Sequence, residues 1–276
     1  RGSFRRFLNF DPGSPASLAE DRPSDEFYAA TASEQGQATT KTCGGRTMTT
    51  TYALIHGAGD TGWYWHLVAA RLRDRGNEAV AMDLPCEDDS AGLAEYADTV
   101  VDAVGNAPDL VVVVQSFGGF TAPLVCERMP VAQLVLVAAG MIPSPGETPG
   151  DWWENTGYEE ATKNRADVEE YATLEEETIA TYLHDVPSDL AAEALRRGRG
   201  QSGTPMVKPW PLASLPGVST RFLLCRDDRF FPADFMRCVV SDRLGIVPDE
   251  IDGSHCIALS RPKEVADRLV VYRTEL

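Results

Sequence analysis

Apolar and polar positions fall into two regimes along the chain. Up to residue 47 they show no sustained period, and the segment is rich in Ser, Thr, Ala, Gly, Asp and Glu, with prolines at 12, 15 and 23. Such a composition buries too little apolar surface to offset the entropy of ordering, so 1–47 is expected to be a disordered leader. Patterned sequence opens at Met48, which is a candidate natural start. Residues 52–56 are a short apolar run that predicts a strand, and 65–75 carry Leu67, Val68 and Leu72 at helical spacing with Gly76 behind them. A second strand is expected at 78–84, and residues 91–104 set Leu93, Tyr96, Ala97, Val100, Val101 and Val104 along one helical face. Residues 110–114 are an unbroken, mostly β-branched run, as a strand covered on both faces requires. A helix is expected just after Ser116, strands at 131–138, 221–225 and 246–251, and helices at 233–244 and 263–272.

Alternating strands and helices of these lengths predict an α/β fold, with a mainly parallel sheet and helices on both faces. The stretch 144–216 breaks the rhythm. It holds Trp152, Trp153, Tyr158 and acidic helical segments, then a proline-rich loop. It is expected to be a helical cap inserted into a core formed by 48–143 and 217–276. No internal repeat is visible.

Charge narrows the function classes. The net charge is −17, and the densest basic cluster, around Arg196, Arg197 and Arg199, is short. Binding a polyanion would be electrostatically opposed, so no nucleic-acid partner is expected. No run approaches the ~20 apolar residues of a membrane span, and no membrane partner is expected. Arg5 and Arg6 precede Phe7 and Leu8, but the apolar stretch of a twin-arginine signal does not follow. A cytoplasmic location is therefore expected, with the six cysteines reduced, since none forms a CxxC pair. Neither a metal nor a cofactor is expected.

The chemistry-bearing residues stand where the predicted strands end. Val114-Gln115-Ser116-Phe117-Gly118-Gly119 follows a buried strand and precedes a helix. A serine on so sharp a turn is pushed out of the sheet, with a helix N-terminus beside it that favours developing negative charge. The first glycine of G-x-S-x-G is replaced by Val114, a larger residue where a small one is usual. His56-Gly57-Ala58-Gly59 follows the first strand, and its backbone N–H groups can form half of an oxyanion hole, with the Phe117 N–H as the other half. Asp227 and Asp228 compete, after a late strand, to orient a histidine. His255, in a loop beyond the last strand, completes the order Ser, Asp, His. Taken singly, Ser116 is an ordinary helix start and His255 an ordinary surface residue; their joint order at strand ends is what points to a nucleophile and its base. His56 is expected to shape the oxyanion loop, His66 to sit on the first helix, and His184 to be structural.

These motifs, with the stretches IHGAGDTGWYWHLVAARL, MDLP, DDRFFP and DGSH, resemble the α/β-hydrolase superfamily, nearest to its branch of plant methyl esterases and hydroxynitrile lyases. The resemblance covers about residues 51–272. It implies an eight-strand sheet with a small helical cap, oxyanion donors at the backbone of Ala58 and Phe117, and Asp228 as the acid, from its spacing to Pro232. Similar lyases carry a lysine directly after the catalytic histidine; here that position is Cys256. The expected activity is carboxylester hydrolysis of small esters by Ser116, His255 and Asp228, with a small-molecule ester as partner and a homodimer left open. A lyase or cofactor-free reaction, and a non-catalytic ligand-binding role, are the alternatives. Trp152, Trp153 and Trp210 are candidates to line the substrate pocket with Phe117; packing inside the cap is the competing role for each.

Overall fold

The computed structural model describes residues 49–138, 140–163 and 171–276. The expected leader, 1–47, lies outside the described residues. Six parallel strands form one sheet: β1 (Thr51–Ile55), β2 (Glu78–Ala81), β3 (Leu110–Gln115), β4 (Gln133–Val137), β5 (Thr220–Cys225) and β6 (Asp249–Ile251), in the order β2-β1-β3-β4-β5-β6. The resemblance implied eight strands; the described residues form six.

Alternation within the strands explains why their sequences read as continuous apolar runs. Ile55, Val112, Val114, Leu136 and Leu224 face one buried cluster, while Tyr52, Leu54, Val111, Val113, Val137 and Leu223 face the other. Successive side chains point to opposite faces, so a strand covered on both sides must be apolar throughout. The covering helices are α1 (His66–Arg73), α2 (Leu93–Val104) and α3 (Ala122–Arg128), and after the insertion α8 (Ala233–Leu244), α9 (Ile257–Ser260) and α10 (Pro262–Thr274). A short 3₁₀ turn, Gly62–Trp65, precedes α1, and Gly76 follows it at φ +81°, a left-handed conformation that glycine adopts without strain.

Three strands are shorter than expected: 131–138 is trimmed to Gln133–Val137, and the second and the last each lose one end. The second ends at Ala81 rather than at Leu84, because Asp83 and Leu84 turn away to bond other loops: Asp83 accepts the Gly62 N–H at 2.7 Å, and the Leu84 N–H donates to His56 at 3.0 Å. The last starts at Asp249 rather than at Ile246, since Val247 is 91% exposed and Pro248 follows it.

Between β4 and β5 the described residues contain only helices and loops: α4 (Trp152–Asn155), α5 (Tyr158–Thr162), α6 (Leu174–Tyr182), α7 (Ser188–Arg197) and a 3₁₀ turn, Thr204–Met206. The entry to this insertion is clamped from within. Arg243 on α8 pairs in bidentate fashion with Glu147 at 2.6 and 2.8 Å and also donates to the Ile142 carbonyl at 2.6 Å.

The parallel sheet places every strand's carboxyl end on one edge. The chain runs from β1 outward to β2, then returns to the other side of β1 as β3. The connections from β1 and β3 therefore run off in opposite directions at that end, which is where open α/β sheets usually bind their ligands.

Candidate active site

Ser116 follows β3 directly, and its backbone takes φ +50°, a left-handed value rare outside glycine. Such a conformation costs about 1–3 kcal/mol and persists only when the surroundings enforce it. Here the Ser116 carbonyl accepts the Met141 N–H at 2.8 Å, and the 3₁₀ turn Ser116–Phe120 carries the chain on into α3. The close packing of this elbow depends on missing side chains. A Cβ on Gly119 would lie 2.3 Å from the Met141 carbonyl oxygen, and one on Gly118 would lie 2.8 Å from Val114 Cγ2. Val114 is thus accommodated: its side chain, fully buried with Ile55 and Phe117, fills space that Gly118 leaves empty.

The loop after β1 lies alongside. A Cβ on Gly57 would sit 3.0 Å from Ser116 Cβ and 2.2 Å from Gln115 Oε1, so this loop approaches the elbow as only glycine allows. His56 shapes the loop. Its Nδ1 lies 2.7 Å from the Gly57 carbonyl oxygen and its Nε2 accepts the Leu84 N–H, which fixes the proton on Nδ1. Burial holds its pKa down at about 4. Among the described residues no hydrogen bond is formed by the Ala58 N–H, and the first N–H groups of the 3₁₀ turn, Phe117 included, find no acceptor within that turn.

The other two predicted residues meet. His255 Nδ1 lies 2.8 Å from Asp228 Oδ2, with both side chains buried. Asp228 Oδ1 accepts the N–H groups of Phe230 at 2.8 Å and Phe231 at 3.0 Å, so the carboxylate is aimed by its own loop. Asp227 is exposed and meets His184 only through its backbone, its carbonyl oxygen lying 2.9 Å from the His184 Nε2. Of the two aspartates, Asp228 is the one whose carboxylate meets the His255 ring among the described residues. The His255 loop is pinned by the insertion: Asp185 accepts the Ser254 N–H at 3.1 Å and the Tyr182 carbonyl accepts the Cys256 N–H at 3.2 Å. No hydrogen bond joins Ser116 to His255 among the described residues; such contacts are often long without ligand and tighten when one binds.

Aromatic rings surround the histidine. Tyr182, Phe230 and Phe231 lie 5.5, 5.6 and 5.7 Å from its ring centroid, and Trp153 stacks on Phe231 at 5.7 Å. Of the three predicted tryptophans, Trp153 and Trp152 both contact Phe231, the first stacked and the second edge-on at 5.7 Å, but only Trp153 is partly exposed. Trp152 and Trp210 are inaccessible and spend their indole N–H on the carbonyls of Ile142 and Phe120, at 3.0 and 3.2 Å. The sequence reasoning missed Tyr182, Phe230 and Phe231; the paired phenylalanines directly after Asp228 were the available signal.

Two further titratable groups adjoin the site. Burial pushes the half-buried Asp60 carboxyl up to about 6, against the Thr61 N–H and the nearby Arg199, which lower it. Desolvation likewise holds the Cys256 thiol well above its ordinary value, helped by Asp60, Asp228 and Asp185, so it is a poor nucleophile. The five described cysteines are free, and no group of three or more metal-ligating side chains occurs among the described residues. No helix among them is long and apolar enough to cross a membrane.

Comparison with known proteins agrees with this architecture. The rice protein named probable esterase PIR7A (Oryza sativa subsp. indica) is 29% identical over 79% of this chain and 95% of its own. Norfluorocurarine synthase 1 from a Strychnos species is 22% identical over 79% of this chain and 96% of its own. Among solved structures, polyneuridine aldehyde esterase superposes with a TM-score of 0.68 at 20% identity, covering 81% of this chain and 99% of that one. A sequence profile described as the alpha/beta hydrolase family matches residues 53–268, and the chain belongs to that family.

Proposed function

We propose that this protein is a serine carboxylesterase acting on small esters through an acyl-enzyme. The observation that carries the reading is the left-handed Ser116 elbow on the same sheet edge as the buried His255–Asp228 pair. Ser116 Oγ attacks the ester carbonyl while His255 Nε2 takes its proton. The resulting imidazolium donates from Nδ1 to Asp228, which holds the ring's tautomer and offsets its charge. The tetrahedral oxyanion accepts from the N–H groups of Ala58 and Phe117, each such donor contributing about 2.7–4 kcal/mol in the transition state. Collapse expels the alcohol, which takes its proton from His255. Water, deprotonated by the same base, then releases the acid. Phe117, Trp153 and Phe230 supply the apolar wall against which the substrate rests, with Phe231 packed behind them, under a helical cap drawn from the described residues of the insertion. The esterase names carried by relatives support this reading, although the fold alone does not fix the reaction.

The test is hydrolysis of p-nitrophenyl acetate and butyrate by the wild type and by Ser116→Ala. Turnover is expected to fall about a thousandfold or more in the variant. A fluorophosphonate is expected to label Ser116 in the wild type. Equal inactivity of both proteins together with absent labelling would reject the proposal. Product analysis on cyanohydrins then decides for a lyase if aldehyde and cyanide appear.

A further inference from the structure

The loop that holds Ala58 is gripped by a segment distant in sequence. The chain leaves α7 at Arg197 and runs back along the oxyanion loop, and there both peptide groups of Gly59 are taken. The Gly59 carbonyl accepts the Arg199 N–H at 2.7 Å, and the Gly59 N–H donates to Gln201 Oε1 at 3.2 Å. The Arg199 guanidinium donates to the Asp60 carbonyl from Nε at 3.2 Å and from Nη2 at 3.0 Å, and Nη2 also reaches the Leu84 carbonyl at 2.9 Å. Leu84 is the residue whose N–H holds His56. Gln201 is buried and its amide is fully engaged: Nε2 donates to the Tyr96 hydroxyl at 3.0 Å and to the Ser202 carbonyl at 3.1 Å, which fixes Oε1 toward Gly59. The approach is close enough that a Cβ on Gly59, whose φ is +64°, would lie 2.9 Å from the Arg199 carbonyl oxygen.

We propose that Arg199 and Gln201 are positioning residues for the oxyanion hole: by occupying the peptide groups of Gly59 and Asp60, they fix the plane of the preceding peptide and aim the Ala58 N–H into the site. This inference rests on the esterase reading above. Neither side chain touches the reacting atoms. Backbone donors stabilise an oxyanion only when their direction is set before charge develops, since a loop that must reorganise during the reaction loses that advantage. A displacement of about 1 Å at such a group can cost a hundredfold in rate. The effect is confined to the transition state, because a ground-state ester carbonyl makes weaker use of the same donors.

The experiment compares Gln201→Met, Arg199→Met and the milder Arg199→Lys with the wild type on p-nitrophenyl butyrate. Three readouts are taken: kcat and KM, inhibition by an alkyl trifluoromethyl ketone, and inhibition by the matching non-fluorinated ketone. The fluorinated compound adds Ser116 and places an oxyanion in the hole, whereas its parent stays neutral and depends mainly on the apolar wall. Expected for Gln201→Met and Arg199→Met is a fall in kcat of about ten- to a hundredfold with KM within about twofold. The affinity for the trifluoromethyl ketone falls with kcat, and that for the parent ketone does not. Arg199→Lys, which can still reach one carbonyl, loses less. Unchanged kcat in both methionine variants overturns the proposal. So does a loss that weakens both ketones alike or follows the unfolded fraction in a melt, since either marks a purely structural role. If the wild type itself neither turns over ester nor labels with fluorophosphonate, the esterase reading fails and this one falls with it; an active, labelled wild type with unaffected variants rejects only the positioning role.

Discussion

His56 shows how a residue beside the site can govern stability rather than chemistry. Both ring nitrogens are committed, Nδ1 to the Gly57 carbonyl and Nε2 to the Leu84 N–H, so a second proton would set one donor against another. Burial is the largest cause of its pKa near 4; the Gly57 carbonyl opposes the shift and Arg199 adds to it. An unfolded histidine titrates near about 6.5, so between there and pH 4 the unfolded chain binds a proton that the fold refuses. Stability is therefore complete above pH 6.5 and falls with pH toward 4, by about 3 kcal/mol from this group alone. The urea midpoint of the wild type is expected to drop between pH 7.5 and 5, and the drop to shrink in His56→Gln. Identical pH profiles for the two proteins would refute the assignment. The sequence revealed this histidine, Ser116, His255 and the two aspartates because each stands at or just beyond the end of an expected strand. It also exposed Val114 as a departure from the usual motif, but not the remedy, which is the space left by the missing Cβ of Gly118. Arg199 and Gln201 could not be found that way: they act through side-chain-to-backbone bonds to residues about 140 positions earlier, and no spacing rule marks them.

Segments were legible where apolar period and burial coincide, as in β3, β4 and α8, and less so where an apolar run ends in a functional loop. The strand expected at 78–84 stops at Ala81, and its last residues, Asp83 and Leu84, serve neighbouring loops instead of the sheet. The insertion was visible only as broken rhythm, because its attachment depends on pairs such as Glu147 with Arg243, separated by 96 positions. That pair is nearly buried, with the two side chains 3% and 12% exposed. Glu147 also accepts from Asn155 Nδ2 at 2.9 Å and from the Ser144 N–H at 3.1 Å, so α4 and its approach are organised around one carboxylate. Removing one charge of a buried pair strands the other, at a cost of about 3–5 kcal/mol, whereas replacing both by apolar groups can be nearly neutral. Arg243→Met is thus expected to lower the urea-extrapolated stability by about 3 kcal/mol or more, and Glu147→Leu with Arg243→Met to recover much of it. If the double variant is as unstable as the sum of the singles, the pair is not coupled in this way.

Charge is the property of the molecule that the sequence states outright and the fold must tolerate. Six basic and six acidic residues precede residue 49, so the entire net charge of −17 falls on residues 49–276. Two effects then act in opposite directions when salt is added. Exposed ion pairs such as Arg226 with Asp252 and Lys263 with Asp267 weaken under screening, but pairs of that kind contribute little, about 0–1 kcal/mol each. Repulsion among the excess carboxylates is distributed over the whole surface, opposes the compact state, and is also screened, since the Debye length shrinks from about 30 Å at 0.01 M to about 3 Å at 1 M salt. The buried Glu147–Arg243 pair is largely insulated from either effect. With so large an imbalance the repulsive term dominates, and the melting temperature is expected to rise as sodium chloride increases from about 0.02 to 0.5 M at pH 7.5. Near pH 4.6, the sequence pI, net repulsion is absent and the same addition is expected to raise it less. Chloride is the appropriate salt, because sulfate would strengthen apolar burial at both pH values and hide the difference. A melting temperature that falls with salt at pH 7.5 would mean that the surface pairs outweigh the repulsion, and that the acidic residues are arranged around their arginines rather than merely spread over the surface.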